Sequence, residues 1–267
     1  AAVVANITKL GSVLESWYDV CAAADKLGHL IDLPLERRDG EPLPGEVAGV
    51  AIRLDGVRCD ADAAAMAEER FDLEIAAGER VALLGSTGGS ASRLLDVLYG
   101  LVEPNAGHVT VDGLDLRQLR LDRTRDDFAL VHGTEIVDGS VLENIRFGRA
   151  EITAAAVRDA LQDVALWDEI VALPQGLETE LATGGPPLSA SQASRLMLAR
   201  AIVGTPRLLL LDGALDMLTP ALRARVSEHL FDRRHRWTVL VVTTASDVAA
   251  ACDRCIVFGP ALAGAAE

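Results

Sequence analysis

The chain has 267 residues, half of them hydrophobic, with 40 Asp and Glu against 25 Lys and Arg for a formal charge of −15. That much apolar surface excludes a disordered or collagen-like chain and fits one large domain with or without an appendage. The acidic excess excludes a general nucleic-acid binder, because displacing counterions from phosphates takes basic residues. Among those basic residues lysine is confined to Lys9 and Lys26, so every cation after Leu27 is an arginine.

Apolar groups at Val3, Ile7, Leu10, Leu14, Trp17, Cys21, Ala24 and Ile31 recur every three or four positions. This spacing predicts an amphipathic helix over 1–32, about 45 Å long if continuous. Such a helix either packs on its own domain or docks outside the chain. Lys9, Glu15, Asp19, Asp25 and Lys26 interrupt it well before the roughly 18 apolar residues of a membrane span. No basic flank and short apolar block mark a signal peptide, and the start at Ala1 reads as that of a truncated longer polypeptide. Residues 33–48, LPLERRDGEPLPGEVA, have the composition of a linker. A domain is expected to follow over 49–267.

Strands are predicted at 50–57, 71–75 and 79–84, the last ending in a glycine-rich turn, with a helix at 91–101. Further strands are expected at 108–111, 128–131, 207–211, 238–243 and 255–258. Several are continuous apolar runs, as in sheets covered on both faces. Between Ser140 and Leu173 the spacing is helical, and helices over 191–202 and 220–231 flank the run LLLLD. Strands alternating with helices give an α/β fold with a mainly parallel sheet and an inserted helical section, placed at about 140–190. The four cysteines make no disulfide scaffold and point to the cytosol. Cys252 and Cys255 form a lone C-x-x-C without a second pair to close a zinc site, and read as structural thiols.

Phosphate binding at a strand-to-helix turn needs glycines that let backbone N–H groups converge on an anion at the positive end of a helix. The stretch VALLGSTGGSASRLLDVLYGL has that outline. Against G-x-x-x-x-G-K-[ST], Gly85 takes the first glycine, Ser90 the second, Ala91 the lysine and Ser92 the hydroxyl for magnesium; Ser86, Thr87, Gly88 and Gly89 lie between. Alone, it would be a glycine-rich turn feeding a helix. It is followed in order by ALVHGTEIVDGSVLENIRFGR and GGPPLSASQASRLMLARAIVGTPRLLLLDGALDML.

In this order and at these spacings the chain resembles the nucleotide-binding domain of exporter-type ABC transporters from about Val50 to Phe258. EPNAGHVTVDGLDLRQL and LPQGLETEL, between the motifs, share the likeness. Residues 1–48 resemble the end of the last transmembrane helix and the linker into the ATPase domain. The resemblance implies a P-loop ATPase core with an antiparallel β subdomain and a helical subdomain. It implies ATP and Mg2+ as ligands, with Gly85–Arg93 and His132 around the nucleotide and Ser92 and Asp212 on the metal. As partners it implies a second nucleotide-binding domain and the transporter's transmembrane domain, at the cytoplasmic face of the membrane.

The departures from the family pattern carry as much information. The phosphate-pairing lysine is Ala91, and losing charge-assisted hydrogen bonds costs about 1.5–3 kcal/mol each. Arg93 stands close by, but its fork differs from a lysine's point charge. The glutamate that polarises water after Asp212 is Gly213, and the histidine after VLVVTT is Thr244. Asp216 reads as an exposed turn carboxylate. The Q-loop glutamine is His132, which keeps hydrogen-bonding capacity suited to structure or coupling. No adenine-stacking aromatic stands near residues 59–61. The signature L-S-G-G-Q is Leu188, Ser189, Ala190, Ser191 and Gln192, which keeps the serine and glutamine but not the glycines. The leading expectation is a degenerate half of a heterodimeric exporter, hydrolytically silent or nearly so, that lends its signature to a competent partner's site. The alternatives are a slow ATPase in its own right, assisted by Arg93, and a structural dimerisation module that binds no nucleotide.

Overall fold

In a computed structural model, the described residues are 2–32, 39–45, 49–59, 70–85 and 89–257. The chain forms two compact units, residues 1–38 and residues 39–267. The first contains one helix, α1 (Ala2–Ile31), where the three-and-four spacing of apolar residues predicts it. Among the described residues no helix is long and apolar enough to cross a membrane.

The second unit starts with β1 (Ile52–Arg58), β2 (Arg70–Ile75) and β3 (Arg80–Leu84), followed by α2 (Ser90–Leu98), β4 (Ala106–Val111), β5 (Leu114–Asp115), α3 (Leu121–Asp127) and β6 (Phe128–His132). A helical section contains β7 (Gly139–Ser140), α4 (Val141–Arg146), α5 (Ala154–Asp163), α6 (Trp167–Val171), β8 (Glu180–Leu181) and α7 (Ala190–Ile202). The chain then returns through β9 (Leu208–Asp212), α8 (Pro220–Leu230), β10 (Thr238–Thr243), α9 (Ser246–Ala250) and β11 (Arg254–Val257).

A five-stranded parallel sheet of order β11-β3-β10-β9-β6 forms the centre, and a four-stranded antiparallel sheet, β2-β1-β4-β5, lies beside it. The apolar runs explain the arrangement. Successive side chains of a strand point to opposite faces; Leu209 and Leu211 of β9, with Val239 and Val241 of β10, enter the core shared with the helical section. Leu208, Leu210, Leu240 and Val242 enter the core shared with α2 and the antiparallel sheet. Both faces are therefore covered, and the strand ends are left as the place where polar groups can gather.

Residues 39–45, inside the span read as linker, are tied to this unit. Glu41 pairs with Leu119, and Arg207 Nη1 donates to the Pro44 carbonyl at 2.9 Å. The helix predicted to reach residue 101 ends at Leu98, where Gly100 takes φ +73° and turns the chain. The long helical run after Thr153 is broken into α5 and α6 by Ala165 at φ +53°. The strand expected over 255–258 is seen as β11, with residue 258 outside the described residues.

Candidate nucleotide and cation site

Parallel pairing brings four strand ends together. Val242 is opposite Asp212, Thr243 is opposite Leu84, and His132 is opposite Asp212. The carboxyl ends of parallel strands are where open α/β sheets bind ligands, and the residues singled out in the sequence meet there. Gly85 continues β3 with its N–H donating to the Thr243 carbonyl at 3.1 Å. Ser86, Thr87 and Gly88 lie outside the described residues.

Gly89 is the N-cap of α2, in extended conformation, and no side chain caps the helix; its first turn carries no acidic group. Ser90, Ala91 and Ser92 thus open a helix whose N–H groups have no side-chain acceptor at the cap, the local arrangement that suits an anion. Ala91 is buried, 7% exposed, and belongs to the apolar core. Arg93 has its Nε buried without a hydrogen-bond partner.

Asp212 is the hub. Ser92 Oγ donates to its Oδ1 at 3.0 Å, and His132 Nδ1 lies 2.9 Å from its Oδ2. The Asp212 side chain is 5% exposed and that of His132 is 55% exposed. An octahedral Mg2+ with bonds of about 2.0–2.1 Å places neighbouring ligands about 2.9 Å apart. The Ser92 and Asp212 oxygens therefore fit the spacing of two adjacent ligands. Asp96, one turn after Ser92, is electrostatically coupled to both His132 and Asp212. Burial pushes its carboxyl above the usual range; His132 pulls against this, and the Asp212 carboxylate adds to it.

In the loops after β9 and β10 the groups differ in kind. Gly213 has φ +61° and donates its N–H to the Val242 carbonyl at 2.9 Å. Thr244 donates both its N–H and its hydroxyl to Asp216 Oδ2, each at 2.8 Å, and Thr243 Oγ1 donates to Oδ1 of the same carboxylate. Asp216 is half-buried and is not the exposed turn carboxylate expected from the sequence; it ties the loop after β9 to the loop after β10. At the end of β1, Cys59 is buried, and residues 60 and 61 lie outside the described residues.

The signature residues form a separate cluster. Helix α7 begins at Ala190, one residue before the expected start, and Ser189 is its N-cap. Ser189 Oγ accepts from the Gln192 N–H at 3.3 Å, and Gln192 Oε1 accepts from the Ser189 N–H at 2.8 Å, a reciprocal capping box. Gln192 Nε2 donates to Glu169 Oε2 at 2.9 Å, and the buried Arg195 donates to Oε1 and Oε2 at 2.7 and 3.0 Å. Leu188 is buried behind the cap, and Ser191 gives its carbonyl to Arg195 Nε. Glu169, Asp96 and Thr243 were not among the candidates; only Asp96 had a signal, its i+4 spacing from Ser92 on one helical face.

A cleft of about 830 Å³ opens beside His132, along the edge strand β6, with Glu135, Phe147, Arg149 and Arg200 among its lining residues. Arg200 stacks on Phe147 and donates to the carbonyls of Glu135 and Asn144. Desolvation lowers its guanidinium to about 10.

A strand-turn-helix with an uncapped helix start, a serine and an aspartate at magnesium spacing, and a capped signature helix on a helical insert define an ATP-binding cassette. The ABC transporter family model matches residues 69–216, and the chain belongs to that family as an exporter-type cassette. It is 33% identical over 266 residues to the ATP-dependent lipid A-core flippase of Neisseria gonorrhoeae, covering 95% of this chain and 41% of that protein. It is also 33% identical over 259 residues to a multidrug efflux ATP-binding/permease protein of Mycobacterium bovis, covering 94% of this chain and 21% of that protein. A bacterial Atm1-family ABC exporter solved with ATP bound superposes with a TM-score of 0.78 at 25% identity, covering 94% of this chain and 44% of that one. The chain thus spans less than half of the length of these relatives. Domains of this family bind ATP and Mg2+.

Proposed function

We propose that the chain is the degenerate half of a heterodimeric exporter. Residues 1–32 would be the end of the last transmembrane helix, 33–48 the linker and 49–267 the cassette at the cytoplasmic face of the membrane. The carrying observation is the water-activating end of the site. Position 213 has no side chain to act as a base, and the Thr244 N–H and hydroxyl are both engaged by Asp216. Phosphoryl transfer is positioning plus charge stabilisation. This end offers a γ-phosphate neither.

The chain's own residues still support weak nucleotide binding. The N–H groups at the start of α2 would hold phosphate oxygens, while Ser92 and Asp212 would hold Mg2+. When bound, that ion would offset phosphate charge. Without a lysine at 91, affinity falls at least about tenfold. The second cassette would bring a competent P-loop against this chain's Ser189 and α7. The transmembrane domain would sit in the cleft beside His132, which connects that surface to Asp212.

The test is MgATP turnover and MgATP-induced thermal stabilisation, on the purified chain and then on the assembled transporter. The expected outcome is a small stabilisation, negligible turnover alone and turnover in the assembly that depends on the partner's glutamate. Robust hydrolysis by the purified chain would overturn the proposal. One observation favours a second reading, a structural module without nucleotide: Ser92 and His132 both engage Asp212 within the chain itself. Native-state ligand binding must raise stability, so no melting shift in saturating MgATP would select that reading.

A further inference from the structure

We infer that Asp163, Arg234 and His235 form a proton-operated latch between the helical section and the core, closed while His235 is neutral and loosened when its imidazole takes a proton. The latch precedes the start of β10, at the opposite end of the parallel sheet from Asp212, and does not depend on the reading above. Asp163 is the last residue of α5, which packs on α6 and α7 inside the helical section. Arg234 and His235 stand in the turn that joins α8 to β10. Arg234 Nη2 donates to Asp163 Oδ1 at 2.5 Å, and His235 Nε2 lies 3.6 Å from Asp163 Oδ2.

The imidazole is held in place by its surroundings. Its face stacks on Trp237 with centroids 4.0 Å and planes 4° apart, and the buried Trp237 is fixed in turn by donating Nε1–H to the Leu230 carbonyl at 3.0 Å. From β3 the buried Arg80 donates to the Asp232 and His235 carbonyls at 3.0 and 2.9 Å. One further contact senses the proton: Arg234 Nε donates to His235 Nε2 at 3.2 Å. An arginine has donors only, so this bond exists only while Nε2 is unprotonated. A proton there sets donor against donor and cation against cation, and both then compete for Asp163. The side chains of His235 and Asp163 are 19% and 18% exposed, so water replaces little of what is lost.

The charged groups that face the imidazole are Asp163 on α5, Asp232 and Arg234 in its own turn, and Arg80 on β3. Burial is the largest influence and disfavours the imidazolium; Arg234 and Arg80 add to it, while Asp163 and Asp232 oppose it. The net result holds His235 below the ordinary value of about 6.5. A histidine depressed in the folded state gives stability that is in place above about pH 6.5 and is lost as pH falls through the lower folded value. Acidification therefore loosens the tie between α5 and the core.

The experiment takes the full chain from about pH 7.5 to about pH 5. NMR follows the assigned His235 ring protons, and mass spectrometry follows hydrogen exchange at α5, corrected for the intrinsic pH dependence of exchange. His235 is expected to titrate below about pH 6.5, with corrected exchange at α5 rising several-fold over the same range. His235→Gln, which takes no proton, should flatten that rise. Asp163→Asn should lower the His235 midpoint further and Arg234→Ala should raise it, which a merely structural role for these side chains would not do. A His235 midpoint at or above about pH 6.5, or an exchange rise that persists in His235→Gln, overturns the inference. Should His235→Gln fail to fold, the midpoints decide alone, and equal midpoints in the native chain, Asp163→Asn and Arg234→Ala overturn it.

Discussion

Two helix starts in this cassette face opposite tasks. At α2 the N-cap is Gly89, no side chain closes the turn, and a basic residue follows at Arg93 with its Nε unpartnered. At α7 the N-cap is Ser189, the box with Gln192 is complete, and Gln192 and Arg195 clamp Glu169 on α6. The first start has no side-chain cap, an arrangement that suits an anion and that forgoes a cap's stabilisation. The second satisfies its polar groups within the chain. The open start carries Ala91 and no cation over residues 90–92, while the closed one has its polar groups bonded within the chain, so openness to an anion and a well-capped helix are found at different places.

The contrast can be broken first at α7. Arg195→Ala removes a buried guanidinium that bonds Glu169 and the carbonyls of Ala165 and Ser191. A loss of about 3 kcal/mol is expected in urea unfolding. Next, Ala91→Lys returns the charge to the open start. ATP affinity should rise at least about tenfold by calorimetry while turnover stays at background, since positions 213 and 244 are unchanged. Ser189→Ala removes the cap and should cost about 1 kcal/mol.

A smaller effect depends on pH. Hydrogen bonds from Arg195, and then from Gln192, hold the Glu169 carboxyl below its usual range. Depression in the folded state means this stabilisation is in place above the unfolded value, about pH 4.3, and is lost as pH falls through the lower folded value. With the carboxylate 44% exposed, the stability gap between the native chain and Glu169→Gln should shrink by only a few tenths of a kcal/mol from about pH 6 to about pH 3. The smallest change is Gly89→Ser, which gives α2 the cap it lacks. Unfolding free energy should rise by a few tenths of a kcal/mol in urea titration, and phosphate binding should weaken as the new hydroxyl competes for the same N–H groups.

Motif order made much of this legible from residues alone. LLLLD reads as a buried strand ending in a carboxylate, and Ser92 reaches that carboxylate because α2 follows β3 and Asp212 ends β9, two strands of one parallel sheet. What stayed hidden depends on contacts between distant segments. The Asp216 bonds to Thr243 and Thr244 cross 27 and 28 positions, and Glu169 meets α7 across 23 and 26. No local pattern marks either. The break at Ala165 was hidden for another reason: the apolar spacing runs through it undisturbed, and only its left-handed backbone reveals the bend.

The conformation of Gly213 bears on which side chains its position can take. At φ +61° a glycine is at ease, whereas an L side chain costs about 1–2 kcal/mol. A glutamate placed there would carry that strain in a turn whose Asp216 bonds Thr244 of the neighbouring loop. Gly213→Glu is therefore expected to lower stability by about that amount, whatever it does to turnover.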